Sequence, residues 1–229
     1  MTTSEQTQYR VTLEGTRVKV GDEPVSPRKI QIIVTDEAGV THRVGQIHTI
    51  FFLTAKAQGH PYDWADGWSE ELGRVIEQLF SGAELYSGLR LAYKLRASSF
   101  LLVEWLEIQK EWRRKGVGTL AMKALFDVFN TQCGLVVSDT LKSEDESDLS
   151  TDPDEDDPAV YEEAKRVRAW LASLGFRRVS DSFLAYGLHL QTQPSPDEAA
   201  GIRVTLKRRN DSEHDALAED LADLLEDDD

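Results

Sequence analysis

The stretch from Leu106 to Thr119 limits the folds open to this chain more than any other. Ahead of it, Phe100 to Leu106 is a dense apolar run broken only by Glu104. Behind it, Val117, Leu120, Ala121, Ala124, Leu125 and Val128 recur at helical spacing. The pattern predicts a strand, a short basic turn containing Gly116 and Gly118, and then a helix. Such a junction builds an anion site, because the first amides of a helix lack intrahelical acceptors and the aligned peptide dipoles place partial positive charge there. The two glycines let the backbone approach a ligand, and Arg113, Arg114 and Lys115 add charge. The three cations alone would read as a solvated turn. With glycines beside them and a helix behind, phosphate contact is the stronger reading.

The identity of the anion is narrowed by elimination. The phosphate loop of nucleotide hydrolases, Gly-x-x-x-x-Gly-Lys-Ser/Thr, does not occur. The dinucleotide fingerprint needs a third small residue after Gly116 and Gly118, and Ala121 supplies one. The chain offers no second parallel strand–helix–strand unit ending in an acid, which counts against that reading. The stretch resembles the acetyl-CoA site of the GNAT superfamily of N-acetyltransferases. That family's Gln/Arg-x-x-Gly-x-Gly/Ala signature is matched by Arg113, Arg114, Lys115, Gly116, Val117 and Gly118. A second match is Leu174-Gly175-Phe176, which follows a helix as the family's second region commonly does. The similarity covers about 100–130 and, more loosely, 134–190; the first half agrees only in layout.

The resemblance implies a single α/β (α+β) domain with a central mixed, mostly antiparallel twisted sheet flanked by helices. It implies acetyl-CoA as cosubstrate and direct transfer of the acetyl group to an amine in a ternary complex. Carried onto this chain, the cofactor pyrophosphate would lie on the turn formed by Arg113, Arg114, Lys115, Gly116, Val117, Gly118 and Thr119. The pantetheine arm would pair with the strand edge at Leu106 and Ile108, where an amide could stabilise the oxyanion. The family often places a tyrosine three residues before Leu-Gly-Phe to protonate the leaving thiolate, but here that residue is Leu171. Tyr161, Tyr186 or water are the alternatives, and the general acid stays unassigned.

Glu104 is the leading candidate for general base, since a lone carboxylate in an apolar strand is expensive and partly desolvated. The competing reading is an ion pair with Arg90, Lys94 or Arg96. Simple alternation puts Glu107 on the opposite face unless a bulge intervenes. His60, Tyr62, Asp63 and Trp64 sit in an aromatic loop expected over 58–66, suited to local packing or to an acceptor pocket. The five histidines have no metal-ligand spacing, and Cys133 is the only cysteine, so no metal site and no internal disulfide are expected.

The net charge of −15 is concentrated in two segments. Residues 142–158 hold nine acids and one lysine, residues 211–229 hold ten acids and no Lys or Arg, and the rest of the chain carries +3. A mildly basic body suits a phosphate-bearing cofactor and gives no reason to expect nucleic acid. The polar N-terminus and the absence of any membrane-length apolar run predict a cytoplasmic protein that does not engage membranes.

One domain is expected over 1–190, with a mobile acidic loop at 142–158. A linker with room for an extra strand follows at 191–210, then an acidic amphipathic helix or tail over 211–229, striped by Leu217, Leu221, Leu224 and Leu225. Within the domain, alternation predicts strands at 9–13, 17–20, 30–34 and 40–53, the latter two forming a hairpin. A Ser69-capped helix follows, and 84–96 is ambiguous. The partners are an amine-bearing small molecule or protein and, for the tail, a basic protein surface; homodimerisation is left open. The competing function is a non-catalytic GNAT-fold module that binds an acyl-CoA or recruits a partner through its acidic segments.

Overall fold

The computed structural model describes residues 9–16, 23–57, 60–82, 84–95, 99–139, 158–179 and 183–188. The expected strand at 17–20, most of the acidic loop, the linker and the acidic tail lie outside these residues. The chain runs β1 (Arg10–Glu14), β2 (Val25–Thr35), β3 (Thr41–Phe52), α1 (Pro61–Asp66), α2 (Glu70–Leu79), β4 (Phe80–Ser81), β5 (Glu84–Leu85), α3 (Ser87–Ala92), β6 (Phe100–Ile108), α4 (Val117–Phe129), β7 (Leu135–Asp139), α5 (Pro158–Ser173), β8 (Arg177–Arg178) and β9 (Phe183–Gly187). Among the described residues, one seven-stranded sheet has the order β1-β2-β3-β6-β7-β9-β8, and β4 pairs only with β5. Every pairing in the large sheet is antiparallel except β6 with β7. No described helix is long and apolar enough to cross a membrane.

Local chemistry accounts for the boundaries. The β2–β3 hairpin closes where Gly39 takes a φ of 78° and Asp36 Oδ1 accepts from the Val40 amide at 2.9 Å. Ser69 caps α2 by accepting from the Leu72 amide at 3.2 Å, with Glu70 and Glu71 in the first turn. Gly175, at φ 100°, ends α5. The aromatic loop expected over 58–66 is instead largely helix α1, with Pro61 at its first position, a favoured helix start. In the ambiguous 84–96 segment, a two-residue strand precedes the short helix α3.

The alternation of the central strands divides two cores between the faces of the sheet. Ile50, Phe52, Phe100, Leu102, Leu135 and Val137 pack with Leu72, Val75, Ile76 and Leu79 of α2 and Leu89 of α3. Ile47, Phe51, Leu101, Val103, Ile108 and Val136 pack with Val117, Ala121, Met122, Leu125 and Phe129 of α4 and Leu171 of α5. The stripe predicted for α4 is rotated: Leu120 is 39% exposed, and Met122, Phe126 and Phe129 are buried in its place. The apolar run 100–103 is thus covered on both faces, as expected of a central strand.

Strands β3 and β6 come unusually close at Gly45, which pairs with Ile108. A Cβ at Gly45 would run into the Glu107 carbonyl oxygen, with its carbon at 3.1 Å and Ile108 Cα at 3.2 Å. The obstacle is backbone, which cannot swing away. Gly45→Ala should therefore destabilise the fold by about 1–3 kcal/mol, read as a lower urea midpoint at unchanged slope.

Candidate functional site

The strand-to-helix junction has a shape that composition alone did not give. Arg114 and Gly116 both adopt left-handed backbone, φ 60° and 80°, with Lys115 of ordinary hand between them. Alternating hands turn neighbouring amides to one side, the arrangement from which anion-binding concavities are generally built. For arginine this conformation costs about 1–2 kcal/mol. Gly116 is the N-cap of α4 and no side chain caps the helix, in contrast to Ser69 at α2. The first helical bond runs from the Leu120 amide to the Gly116 carbonyl, so the amides of Val117, Gly118 and Thr119 have no acceptor within the helix. The first turn holds no acid.

The surroundings hold this turn in place. Arg113 is not a loose cation: its Nε donates to the Ile108 carbonyl at 2.7 Å and ties the turn to the end of β6. Lys115 Nζ lies 5.0 Å from the centre of the Trp112 ring, which meets Tyr9 edge-on at 6.3 Å and His42 at 5.5 Å. Trp170 Nε1 of α5 donates to Thr119 Oγ1 at 3.1 Å, so α5 braces the first turn of α4. A Cβ at Gly118 would meet only Trp170 and Leu106 side-chain atoms at 3.6 and 3.8 Å, ordinary contacts.

Beside the turn, β6 leaves β7. Their pairing covers Phe100–Val103 against Leu135–Ser138, and among the described residues no strand pairs with β6 beyond Val103 on that side. The Gln109 amide donates to Val44 of β3. Alternate residues address the same edge, so Leu106 and Ile108 turn their amides away from β3 and into this gap. The gap lies next to the uncapped end of α4.

The register of β6 against β3 shifts at the same place: Thr49 pairs with Val103 and His48 with Trp105, leaving Glu104 as the extra residue of a β-bulge. The bulge corrects the expectation for Glu107. Leu102 belongs to the core under α2, while Leu106 and Ile108 pack toward α4. Glu104, Trp105 and Glu107 therefore all fall on the face away from α4, and the two carboxylates share a side. Glu104 is half-buried. Glu107 is exposed and accepts from Gln46 Nε2 at 2.8 Å.

Of the side chains offered as general acid, Tyr186 lies away from this gap. Tyr186 pairs with Val136, upstream of the gap, and its ring stacks on Phe126 at 4.3 Å. Leu171 is 2% exposed among apolar neighbours. The side chain of Tyr161 lies outside the described residues. Burial pushes the Cys133 thiol up to about 12, so it stays protonated and is a poor nucleophile.

His48 escaped the sequence reading. It stacks on Trp105 with ring centres 3.7 Å apart, and its Nε2 is buried with no hydrogen-bond partner among the described residues. Burial first, and Lys29 second, hold its pKa below the ordinary histidine value, with Glu107 opposing. The only signal in the sequence was a polar residue among Ile47, Ile50 and Phe51, too weak to single out.

The chain matches no family model, and no curated protein is a significant match to it.

An NMR titration should find His48 neutral at pH 7 and protonating below the usual range. Lys29→Gln should restore its pKa only in part, because burial is the larger cause. The unfolded chain takes up this proton first, so the contribution of His48 to stability is full above the unfolded pKa. It is lost as pH falls from that value through the folded one.

Proposed function

We propose that this protein is an acetyl-CoA-dependent N-acetyltransferase of the GNAT type, transferring an acetyl group to an amine by direct attack in a ternary complex. The observation that carries the reading is the coincidence of two sets of open backbone amides. The N-terminal end of α4, with left-handed Arg114 and Gly116, adjoins β6 past the point where its pairing with β7 stops among the described residues, a Cβ at Gly118 lying 3.8 Å from the Leu106 side chain. One set suits a pyrophosphate and the other an amide-bearing arm, the two ends of a coenzyme A ester.

In this reading Arg114 to Thr119 bind the phosphates through backbone, Lys115 adds charge, and Arg113 keeps the turn in register with β6. Leu106 and Ile108 pair with the pantetheine arm. An amide on this edge polarises the thioester carbonyl. Glu104 takes the proton that the acceptor ammonium must lose before its nitrogen attacks the carbonyl carbon. The carbon–sulfur bond then breaks, and the thiolate takes a proton from water or from a residue not yet assigned. The inert Cys133 and the lack of any other cysteine support direct transfer over a cysteine-bound acyl intermediate.

Leu171 favours the second reading, a non-catalytic acyl-CoA-binding module, because a buried leucine stands where the family often has its proton donor. Cofactor binding without turnover on a broad amine panel would select that reading.

Calorimetry should show acetyl-CoA binding that Gly118→Asp weakens at least about tenfold, the added carboxylate repelling the pyrophosphate. Space at Gly118 and the acid's favourable place in the first helical turn keep the variant folded. Equal affinity of variant and wild type would remove the cofactor from this turn.

Glu104→Gln should lower kcat by about 10²–10⁴ and leave acetyl-CoA affinity nearly intact. The rising acidic limb of the wild-type pH–rate profile should disappear in the variant. Full turnover with the same limb would make Glu104 a structural residue.

A further inference from the structure

The acceptor side of β6 has features the acetyl-transfer reading does not use. Trp105 is 37% exposed in the middle of a strand that is otherwise apolar from Phe100 to Val103. One face of its ring is taken by His48, centre to centre at 3.7 Å and tilted by 26°. The β-bulge places a carboxylate on each side of it along the strand, Glu104 before and Glu107 after. These carboxylates are three residue steps apart, about 10 Å along an extended strand and less across a bulge. Gln46, bonded to Glu107 Oε2 at 2.8 Å, holds the outer carboxylate above its strand.

We propose that the acceptor is a linear aliphatic diamine or polyamine, its reacting nitrogen at Glu104 and its second ammonium held between the open face of Trp105 and Glu107. This inference rests on the acetyltransferase reading of the same site. An indole face attracts a cation through its quadrupole, more strongly than the other aromatic rings do. A methylene chain lying on the ring buries apolar surface that otherwise faces water. The carboxylate beyond the ring sets where the second charge ends. An acceptor carrying its own carboxylate next to the amine, such as a free amino acid, would face repulsion from Glu104 and Glu107. Two charged groups act on the imidazole of His48, Lys29 of β2 and Glu107 of β6. Lys29 pairs with His48 on the side away from Trp105, and its charge, after burial, helps to keep the imidazole neutral. The plate behind the tryptophan thus adds no positive charge that would oppose the bound cation.

The test compares 1,4-diaminobutane and 1,5-diaminopentane with n-butylamine and benzylamine on the full chain. Turnover and calorimetric binding in the presence of coenzyme A are both read. Diamines should exceed n-butylamine in kcat/KM by about tenfold. Glu107→Gln should collapse that ratio toward one. Trp105→Leu should do the same, and Trp105→Phe should keep part of the preference. Circular dichroism checks each variant for folding, and Glu107→Gln, at an exposed position, provides the conservative arm. Equal turnover of diamine and n-butylamine would overturn the acceptor assignment while leaving the enzyme reading standing. A preference for benzylamine would do the same and assign Trp105 to aromatic stacking. Diamine binding that Glu107→Gln weakens, without turnover of any amine, would support the cation site and overturn catalysis. Neither binding nor turnover of diamine would overturn the proposal.

Discussion

Among the described residues, the parallel ladder between β6 and β7 ends at Val103, one residue before the β-bulge that Glu104 makes against β3. A bulge raises local twist and bends its strand. Beyond it, the amides of Leu106 and Ile108 turn away from β3 and meet no partner strand among the described residues. The helix that leaves the same strand adds another row, since no side chain among the described residues caps α4. Open backbone groups are costly unless solvent or a ligand satisfies them. Two apolar cores, one on each face of the sheet, hold them in place.

The same extra residue determines which side chains meet. Simple alternation along β6 sends Glu104 and Glu107 to opposite faces, and the sequence alone could name a bulge as the exception but not place one. The correction comes from β3, whose His48 lies opposite Trp105, more than fifty residues earlier in the chain. A bulge is a property of two paired strands, so the sequence of one cannot reveal it. Helix ends, by contrast, are local. Ser69, Gly116 and Gly175 could be placed from the sequence because each acts on amides or dihedrals within a few residues of itself. The rotated stripe of α4 falls between these cases: its period was legible, but which side faced the sheet depended on β6 and α5. Pro61 did carry a local signal for α1 that the density of aromatics around it obscured.

Strand β3 is the less visible half of the site. Gly45 admits the Glu107 carbonyl at a distance no side chain allows, which seats the end of β6 against its neighbour. Val44 then accepts from the Gln109 amide and fixes where β6 stops. Arg113, reaching back to the Ile108 carbonyl, secures that stop to the turn. The anion cradle is therefore positioned by strand contacts made before the turn begins. This explains how a basic loop containing two residues of left-handed backbone can be held rigidly enough to bind a ligand.

One short strand separates two opposite electrostatic demands. Its last apolar residues, Leu106 and Ile108, lie toward α4, where the helix dipole and the basic turn favour negative charge. Trp105 and Glu107 lie on the other face, where carboxylates and an aromatic ring favour positive charge. Were the bulge absent, residues 105 and 107 would follow Leu101 and Val103 onto the α4 side. Glu107 would then stand on the face of the anion cradle and work against it. On the acetyltransferase reading proposed above, the β-bulge at Glu104 keeps the Glu107 carboxylate away from phosphates bound at the turn. A group transferred between a phosphate-bearing donor and a cationic acceptor needs that separation of charge, and it needs both charges within reach of the same gap.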